Sequence, residues 1–338
     1  MNRVLLVLLL GGVGVLTDAA SAQMGSGAGL FGPNVLSRMG GNETLSGVFL
    51  PPFLAAAEGQ GTPLSSRTAT GRALPLNVVC QESIRYVTRD TGPLSLDLYL
   101  PEKRMGQRLP VIVWFHGGGW RSGSRKSCRL IWLAAEGFAV ASIDYRLSTV
   151  ARWPAPLEDA QEAIRVLRLR ASEWGLDPQC VIAAGESSGA NLAGVVGMAP
   201  RPANEPVSSR VSAVIDFYGT SEVASLPVNV PGPDRSDADL AATNGAKLLG
   251  GIVRDLPHLA REMSPLLLAT SESPPFLIVH GDRDQDVPLD QSQRLHARLQ
   301  ELGVSSRLIV LPGVGHGGRA FLAPEVQATV REFLLTIR

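Results

Sequence analysis

Three observations predict an α/β protein with a mostly parallel central sheet, helices on both faces and a small insertion over the site. Val111–Phe115, Phe138–Ile143 and Val181–Ala184 are apolar at every or nearly every position, as in strands covered from both sides. Segments of helical period fall between them, and strand–helix–strand order implies right-handed crossovers and a parallel sheet. The glycine run 117–119, Ser187, the acid cluster at 282–286 and His316 each lie just after a strand of this kind. In such sheets ligands bind at the carboxyl ends of the strands.

The chain starts with an expected export signal over 1–22. Arg3 supplies a positive start, Val4 to Leu16 an apolar run, and Ala20-Ser21-Ala22 a small-residue cleavage pattern, so the mature form is expected to begin near Gln23. That run is shorter than the about 20 apolar residues a membrane span needs. A secreted or periplasmic protein with no stable membrane anchor is expected. From 23 to 76 the chain is rich in Gly, Ser, Thr, Ala and Pro and reads as an arm or linker, with one apolar patch at 48–54 whose prolines argue against helix or central strand. Residues 77–338 then suit one α/β domain.

Charge excludes one class of partner. With 31 basic and 31 acidic residues and no long single-sign block, nucleic acid is not expected. No cofactor and no metal is expected. The cysteines are Cys80, Cys128 and Cys180; an oxidising compartment permits one bridge. Cys180 precedes a buried run and suits a packed thiol, which favours Cys80 with Cys128, free thiols at both being the alternative.

Within the domain, Leu94, Leu96, Leu98 and Leu100 alternate and predict an antiparallel edge strand ending at Pro101. Val111–Phe115 follows and runs into His116-Gly117-Gly118-Gly119-Trp120. A helical stretch over 130–136 leads to the strand 138–143 and then to Asp144-Tyr145-Arg146. From Leu157 to Trp174, Ala160, Ala163, Ile164, Leu167 and Ala171 keep helical spacing opposite Glu158, Glu162, Arg165 and Arg168, which predicts an amphipathic crossover helix. Val181–Ala184 delivers Ser187, and Gly189–Met198 reads as a helix close to the sheet. Val211–Phe217 is the next strand. Between about 220 and 263 the alternation stops in favour of Pro, Gly, Asp and Asn, an insertion at the sheet's carboxyl edge, where lids and substrate pockets form. Phe276–Val279, a helix over 292–302, Arg307–Leu311 and a closing helix over 326–337 complete the sheet.

The chemistry centres on Gly185-Glu186-Ser187-Ser188-Gly189, a Gly-x-Ser-x-Gly spacing between strand and helix that stands the serine hydroxyl clear of both. A serine hydroxyl is a poor nucleophile at neutral pH and needs an imidazole, which in turn needs a carboxylate to fix its tautomer. Of the five histidines, His316 suits the base, in the glycine-rich loop 312–318 after the last strand. His296 reads as a surface residue of an amphipathic helix, His258 lies in the insertion without a partner motif, and His116 and His280 end strands and suit a structural role in the turns that follow. The acid comes from the loop holding Asp282, Asp284, Asp286 and Asp290; spacing does not choose among them. Negative charge on an attacked carbonyl oxygen needs backbone donors already aimed at it, and Gly118, Gly119 and Ser188 offer theirs. Trp120, Tyr145, Trp153 and Tyr218 lie near strand ends, as pocket lining or as core.

HGGGW at 116–120, DYRL at 144–147, PAPLED at 154–159, GESSG at 185–189, HGDRDQDVP at 280–288 and PGVGHG at 312–317 together resemble the α/β-hydrolases of the hormone-sensitive-lipase and feruloyl-esterase-like esterase groups, over about residues 85 to 338. The resemblance implies the acid four residues after His280, which is Asp284, and an ester substrate, small or polymer-linked. It also implies an acyl-enzyme on Ser187, with His316 as base and Gly118, Gly119 and Ser188 as oxyanion donors. Ser188 stands where many relatives have alanine. An amide hydrolase of peptidase or aryl-formamidase type is the nearest alternative, and a silent binding module the alternative from another class.

Overall fold

The computed structural model describes residues 64–67, 73–103, 106–200 and 205–337. The expected signal at 1–22, most of the arm at 23–76 and the patch at 48–54 lie outside them. Within the stretch read as arm, β1 (Leu64–Arg67) and β2 (Ala73–Pro75) pair antiparallel. Leu74 is buried there.

The other described strands are β3 (Val78–Arg89), β4 (Gly92–Pro101), β5 (Leu109–Phe115), β6 (Ala139–Ile143), β7 (Leu176–Glu186), β8 (Ala213–Phe217), β9 (Phe276–Gly281) and β10 (Ser306–Leu311). They form one sheet in the order β10-β9-β8-β7-β5-β6-β4-β3. Strands β5 to β10 run parallel, while β3 and β4 are antiparallel at one side. The helices are α1 (Ala155–Leu169) and α2 (Ala171–Trp174) before β7, α3 (Ser188–Met198) after it, and α4 (Asp237–Ala242), α5 (Asn244–Leu249), α6 (Pro257–Glu262) and α7 (Pro265–Leu268) between β8 and β9. Then come α8 (Asp290–Glu301) and α9 (Pro324–Leu335). This is the predicted α/β class.

Alternation along β5 shows why its strand reads as a solid apolar run. Val111, Val113 and Phe115 join one buried cluster with Ile164 of α1, Leu192 of α3 and Leu295 of α8. Ile112 and Trp114 point the other way, into a cluster with Val326 and Val330 of α9. Each such side chain stabilises by about 1.5–3 kcal/mol on leaving water, so a central strand leaves no position for a polar residue without a partner.

Three expectations are corrected. The alternating segment at 94–100 is not the edge: β3 covers β4, whose residues Leu96 to Leu100 are all buried. Asp97 interrupts that apolar run because its carboxylate, fully buried, is held by Arg125 and Lys126. The helical stretch expected over 130–136 is a 3-10 helix over Ile131–Glu136. The helix expected to reach Trp174 breaks at Arg170, whose guanidinium pairs with Glu173 and lies 4.1 Å over the Trp174 ring. Finally, Cys80, Cys128 and Cys180 carry thiols and no bridge joins Cys80 to Cys128. Burial pushes the Cys80 thiol up to about 12, so it stays protonated.

DYRL and PAPLED meet in one ion network. Asp159, at the start of α1 and without exposed surface, accepts from Arg146 Nε (2.7 Å) and from Arg89 Nε of β3 (2.9 Å). Two cations on one buried carboxylate tie α1 to the antiparallel edge, and losing either would leave charge poorly compensated.

Candidate active site

β7 runs into α3 through Ser187, which has φ 53° and ψ −122°. That conformation is unfavourable for a residue with a Cβ. It persists because both ends are clamped: Ser187 N–H donates to Phe217 O (2.9 Å), and Asn191 N–H to Ser187 O (3.0 Å). The flanking glycines are obligatory for a spatial reason. A Cβ on Gly185 would lie 2.3 Å from Gly189 O, and one on Gly189 would lie 2.1 Å from Phe115 O. The Gly-x-Ser-x-Gly spacing therefore buys close approach of α3 to β5 and β7 as well as the bend.

The hydroxyl meets an imidazole. His316 Nε2 lies 2.9 Å from Ser187 Oγ, and its Nδ1 lies 2.7 Å from Asp284 Oδ2. An ionised carboxylate only accepts, so Nδ1 carries the hydrogen and Nε2 is left to accept from the serine. The second oxygen of Asp284, Oδ1, accepts from the N–H groups of Asp286 (3.0 Å) and Val287 (2.9 Å). Burial alone would raise this carboxyl's pKa. Hydrogen bonds from His280, His316 and the Val287 N–H outweigh it and hold the group below the usual carboxylate range.

The remaining acids of that loop have other partners. Asp282 accepts from Gly313 N–H (2.6 Å), bracing the loop that carries His316, and Asp290 pairs with Arg294. Asp286 is exposed at the cavity wall. The other histidines are also accounted for. His280, without exposed surface, hydrogen-bonds Ser292 Oγ (2.6 Å) and Val287 O (2.8 Å), so it shapes the Asp284 turn. His116 bonds Gly117 O and stacks on Tyr145 at 4.4 Å; burial pushes its pKa down, leaving it neutral. His258 is exposed on α6. His296 is half-buried on α8 and bonded to Ser306 Oγ (2.9 Å).

Gly118, Gly119 and Ser188 face the same space as Ser187. Gly118 has φ 117° and Gly119 φ 62°. A Cβ on Gly119 would lie 2.3 Å from Asn244 Nδ2, so the insertion closes down on this turn. Ser188 is the first residue of α3, and a helix makes no use of its own first N–H groups. Its side chain is buried.

The cavity has a volume of about 770 Å³. Its wall opposite the sheet comes from the insertion, through Leu226, Val228, Asn229, Thr243 and Asn244. Of the four aromatic residues named from sequence, Trp120 and Tyr218 line it, whereas Tyr145 and Trp153 are core. Tyr145 OH donates to His116 O (2.7 Å), and Trp153 Nε1 to Glu262 (3.0 Å). Trp120 and Tyr218 share with Ser187 a positive φ, so backbone strain among the described residues gathers here.

One group escaped sequence reading. Glu186 Oε2 accepts from Tyr218 OH (2.7 Å) and from Arg129 Nε, and the Tyr218 ring packs edge-on against His316 at 4.9 Å. Burial, with Glu186 alongside, pushes the Tyr218 phenol well above its ordinary value, so it remains a donor. Glu186 was visible as the second letter of the serine motif. Arg129 lies between Cys128 and Leu130 with no surrounding pattern.

A parallel sheet with a serine elbow after one strand, an acid loop after another and a histidine loop after the last defines an α/β-hydrolase. The BD-FAE family profile matches residues 96–299, more than half of the chain, and the chain belongs to that family. It is 30% identical to esterase LipC of Mycobacterium tuberculosis over 69% of this chain and 60% of that protein. Over the first three curated relatives it spans 60%, 54% and 47% of their length. Among solved structures it resembles a truncated carbohydrate esterase from gut microbiota, with TM-score 0.67 and 26% identity over 77% of this chain and 96% of that one. It also resembles Thermogutta terrifontis esterase 2 phosphorylated by paraoxon, with TM-score 0.61 and 25% identity over 78% of this chain and 95% of that one.

Proposed function

We propose that this chain is an exported serine hydrolase of carboxylic esters that works through an acyl-enzyme. The observation that carries the reading is the hydrogen-bonded line Ser187 Oγ, His316, Asp284 at a strained elbow that opens onto the cavity. Ser187 Oγ attacks the ester carbonyl carbon while its proton passes to His316 Nε2. Charge on the carbonyl oxygen is met by the N–H groups of Gly118, Gly119 and Ser188; one such donor is worth about 100- to 1,000-fold in rate. His316 returns the proton to the departing alcohol, leaving the acyl group on Ser187. Water, deprotonated by His316, then releases the acid and restores the serine. The substrate is a small-molecule or polymer-linked ester. Residues 1–22 act as the export signal, 23–76 as an arm and 77–338 as the domain that carries the chemistry.

The relatives named as esterases favour the ester over the amide bond. Matched p-nitrophenyl butyrate and butyryl p-nitroanilide separate the two. The expected result is an ester kcat/KM at least about a thousandfold above that of the amide, lost on Ser187→Ala. Equal turnover of both would replace this reading by an amidase.

A further inference from the structure

Beside the catalytic cavity lies a second groove, of about 480 Å³, lined by Arg121, Arg152 and Lys247 with the polar residues Ser148 and Thr149. The chain as a whole is neutral, with 31 basic and 31 acidic residues. Here three cations line one depression, and none of them has an ion-pair partner among the described residues. Other surface arginines, such as Arg254 with Asp237 and Arg307 with Glu332, do have acidic partners. The α5 C-terminus explains part of the cluster: Lys247 lies in its last turn, and the Arg152 guanidinium packs where a Cβ on Gly250 would be, at 2.7 Å. It gives no reason for Arg121.

The groove and the cavity share walls. Arg121 lies two residues after Gly119, and its N–H donates to Gly118 O (3.1 Å); Ser148 N–H donates to Trp120 O (2.8 Å). On the insertion side, Ala242, Thr243, Asn244 and Gly245 face the cavity while Ala241, Ala246 and Lys247 face the groove. A substrate long enough to cross that wall would bring its far end among the three cations.

We propose that the groove binds an anionic group, a carboxylate or a phosphate, borne by the ester substrate away from the scissile bond, so that the enzyme selects negatively charged esters. This rests on the ester-hydrolase reading above. Exposed charge pairs are individually weak, and two cations together are worth about tenfold in KM at low salt, which is screened at about 0.5 M salt.

The test uses two sets of esters on the full chain. One carries the anion on the acyl side: p-nitrophenyl monoesters of dicarboxylic acids of rising length, and their ω-phosphorylated counterparts, each against its neutral methyl ester. The other carries it on the alcohol side: acetyl esters of ω-hydroxy acids and of ω-hydroxyalkyl phosphates, against the neutral methyl esters. In at least one set the wild type is expected to show a KM about tenfold lower for the anionic member, and carboxylate against phosphate members tell the two sources apart. Arg121→Gln with Lys247→Gln is expected to abolish that preference with neutral-ester kinetics unchanged, as is high salt. A preference absent from both sets, or unmoved by the double variant, overturns the proposal. Inorganic phosphate is expected to raise KM for the anionic esters only; if it alters neutral-ester turnover, the groove is a separate effector site and the proposal falls. Activity that survives Ser187→Ala would instead overturn the serine-hydrolase reading itself, so the two failures are distinguishable.

Discussion

Ser187→Ala is expected to lower kcat for p-nitrophenyl butyrate by about a million-fold while the protein keeps its fold. The size of the loss follows from the absence of a substitute at that spot. Ser188, next in the chain, is buried, and its backbone already begins α3. With Oγ gone, His316 Nε2 has water as its neighbour, and only general-base hydrolysis assisted by the oxyanion donors remains, worth about 10³ to 10⁴ over water. The fold is expected to survive because the elbow is held by backbone bonds and by Gly185 and Gly189, none of which involve the hydroxyl. Far-ultraviolet circular dichroism and a melting curve alongside the assay check this. A variant folded like wild type and more than about one-hundredth as active contradicts it.

Asp284→Asn is expected to cost about 10⁴-fold in kcat with KM little changed. The amide that replaces Oδ1 or Oδ2 brings a donor where two donors already converge. Either the Asp286 and Val287 N–H groups lose their acceptor, or His316 Nδ1–H does and the ring turns over. The same residue sets a pH dependence of stability. Its folded pKa is depressed, so the unfolded chain binds the proton more readily in acid. The contribution is present in full above the unfolded carboxylate value, near 3.9, and is lost as pH falls through the folded one. Wild type should therefore lose stability below about pH 4 more steeply than the asparagine variant in urea melts. Parallel curves would show that the carboxylate is not held as described.

How far the sequence reaches depends on whether a signal is local. β5, β6 and β7 are legible because a strand buried on both faces excludes polar residues from every position, as at Val111 to Phe115. β3 is not, because it is an edge strand: Gln81, Ser83 and Arg85 are exposed, and the polar run resembles a linker. β4 reads as half-buried because the polarity of Asp97 hides its partners Arg125 and Lys126, which lie some thirty positions on. The helix ending at Trp174 keeps its period through Arg170 although the backbone does not.

The candidate site divides in the same way. Gly185 and Gly189 can be read from spacing, since each is required by contact with one nearby strand or helix. The choice of Asp284 over Asp282 and Asp286 cannot: all three sit in one loop, and which carboxylate turns to His316 is set by how the Val287 and Asp286 N–H groups bond. The resemblance supplied that choice, and in the structure Asp284 Oδ2 lies 2.7 Å from His316 Nδ1. The insertion's contribution was invisible at residue level. Asn229, Thr243 and Asn244 come to the cavity through short helices whose ends are fixed by caps, such as Thr243 on Ala246 N–H (3.2 Å), and not by any period.

The measurement that tests the role of Ser187 most directly is intact-protein and peptide mass spectrometry after reaction with paraoxon. A nucleophile that attacks an ester carbonyl also attacks this phosphorus, displacing p-nitrophenolate and keeping the diethylphosphoryl group. The expected result is one adduct per chain, on Ser187, in step with loss of esterase activity, absent from Ser187→Ala and formed far more slowly in His316→Ala. An adduct on another residue accompanying inactivation, or equal labelling of Ser187→Ala, would contradict it.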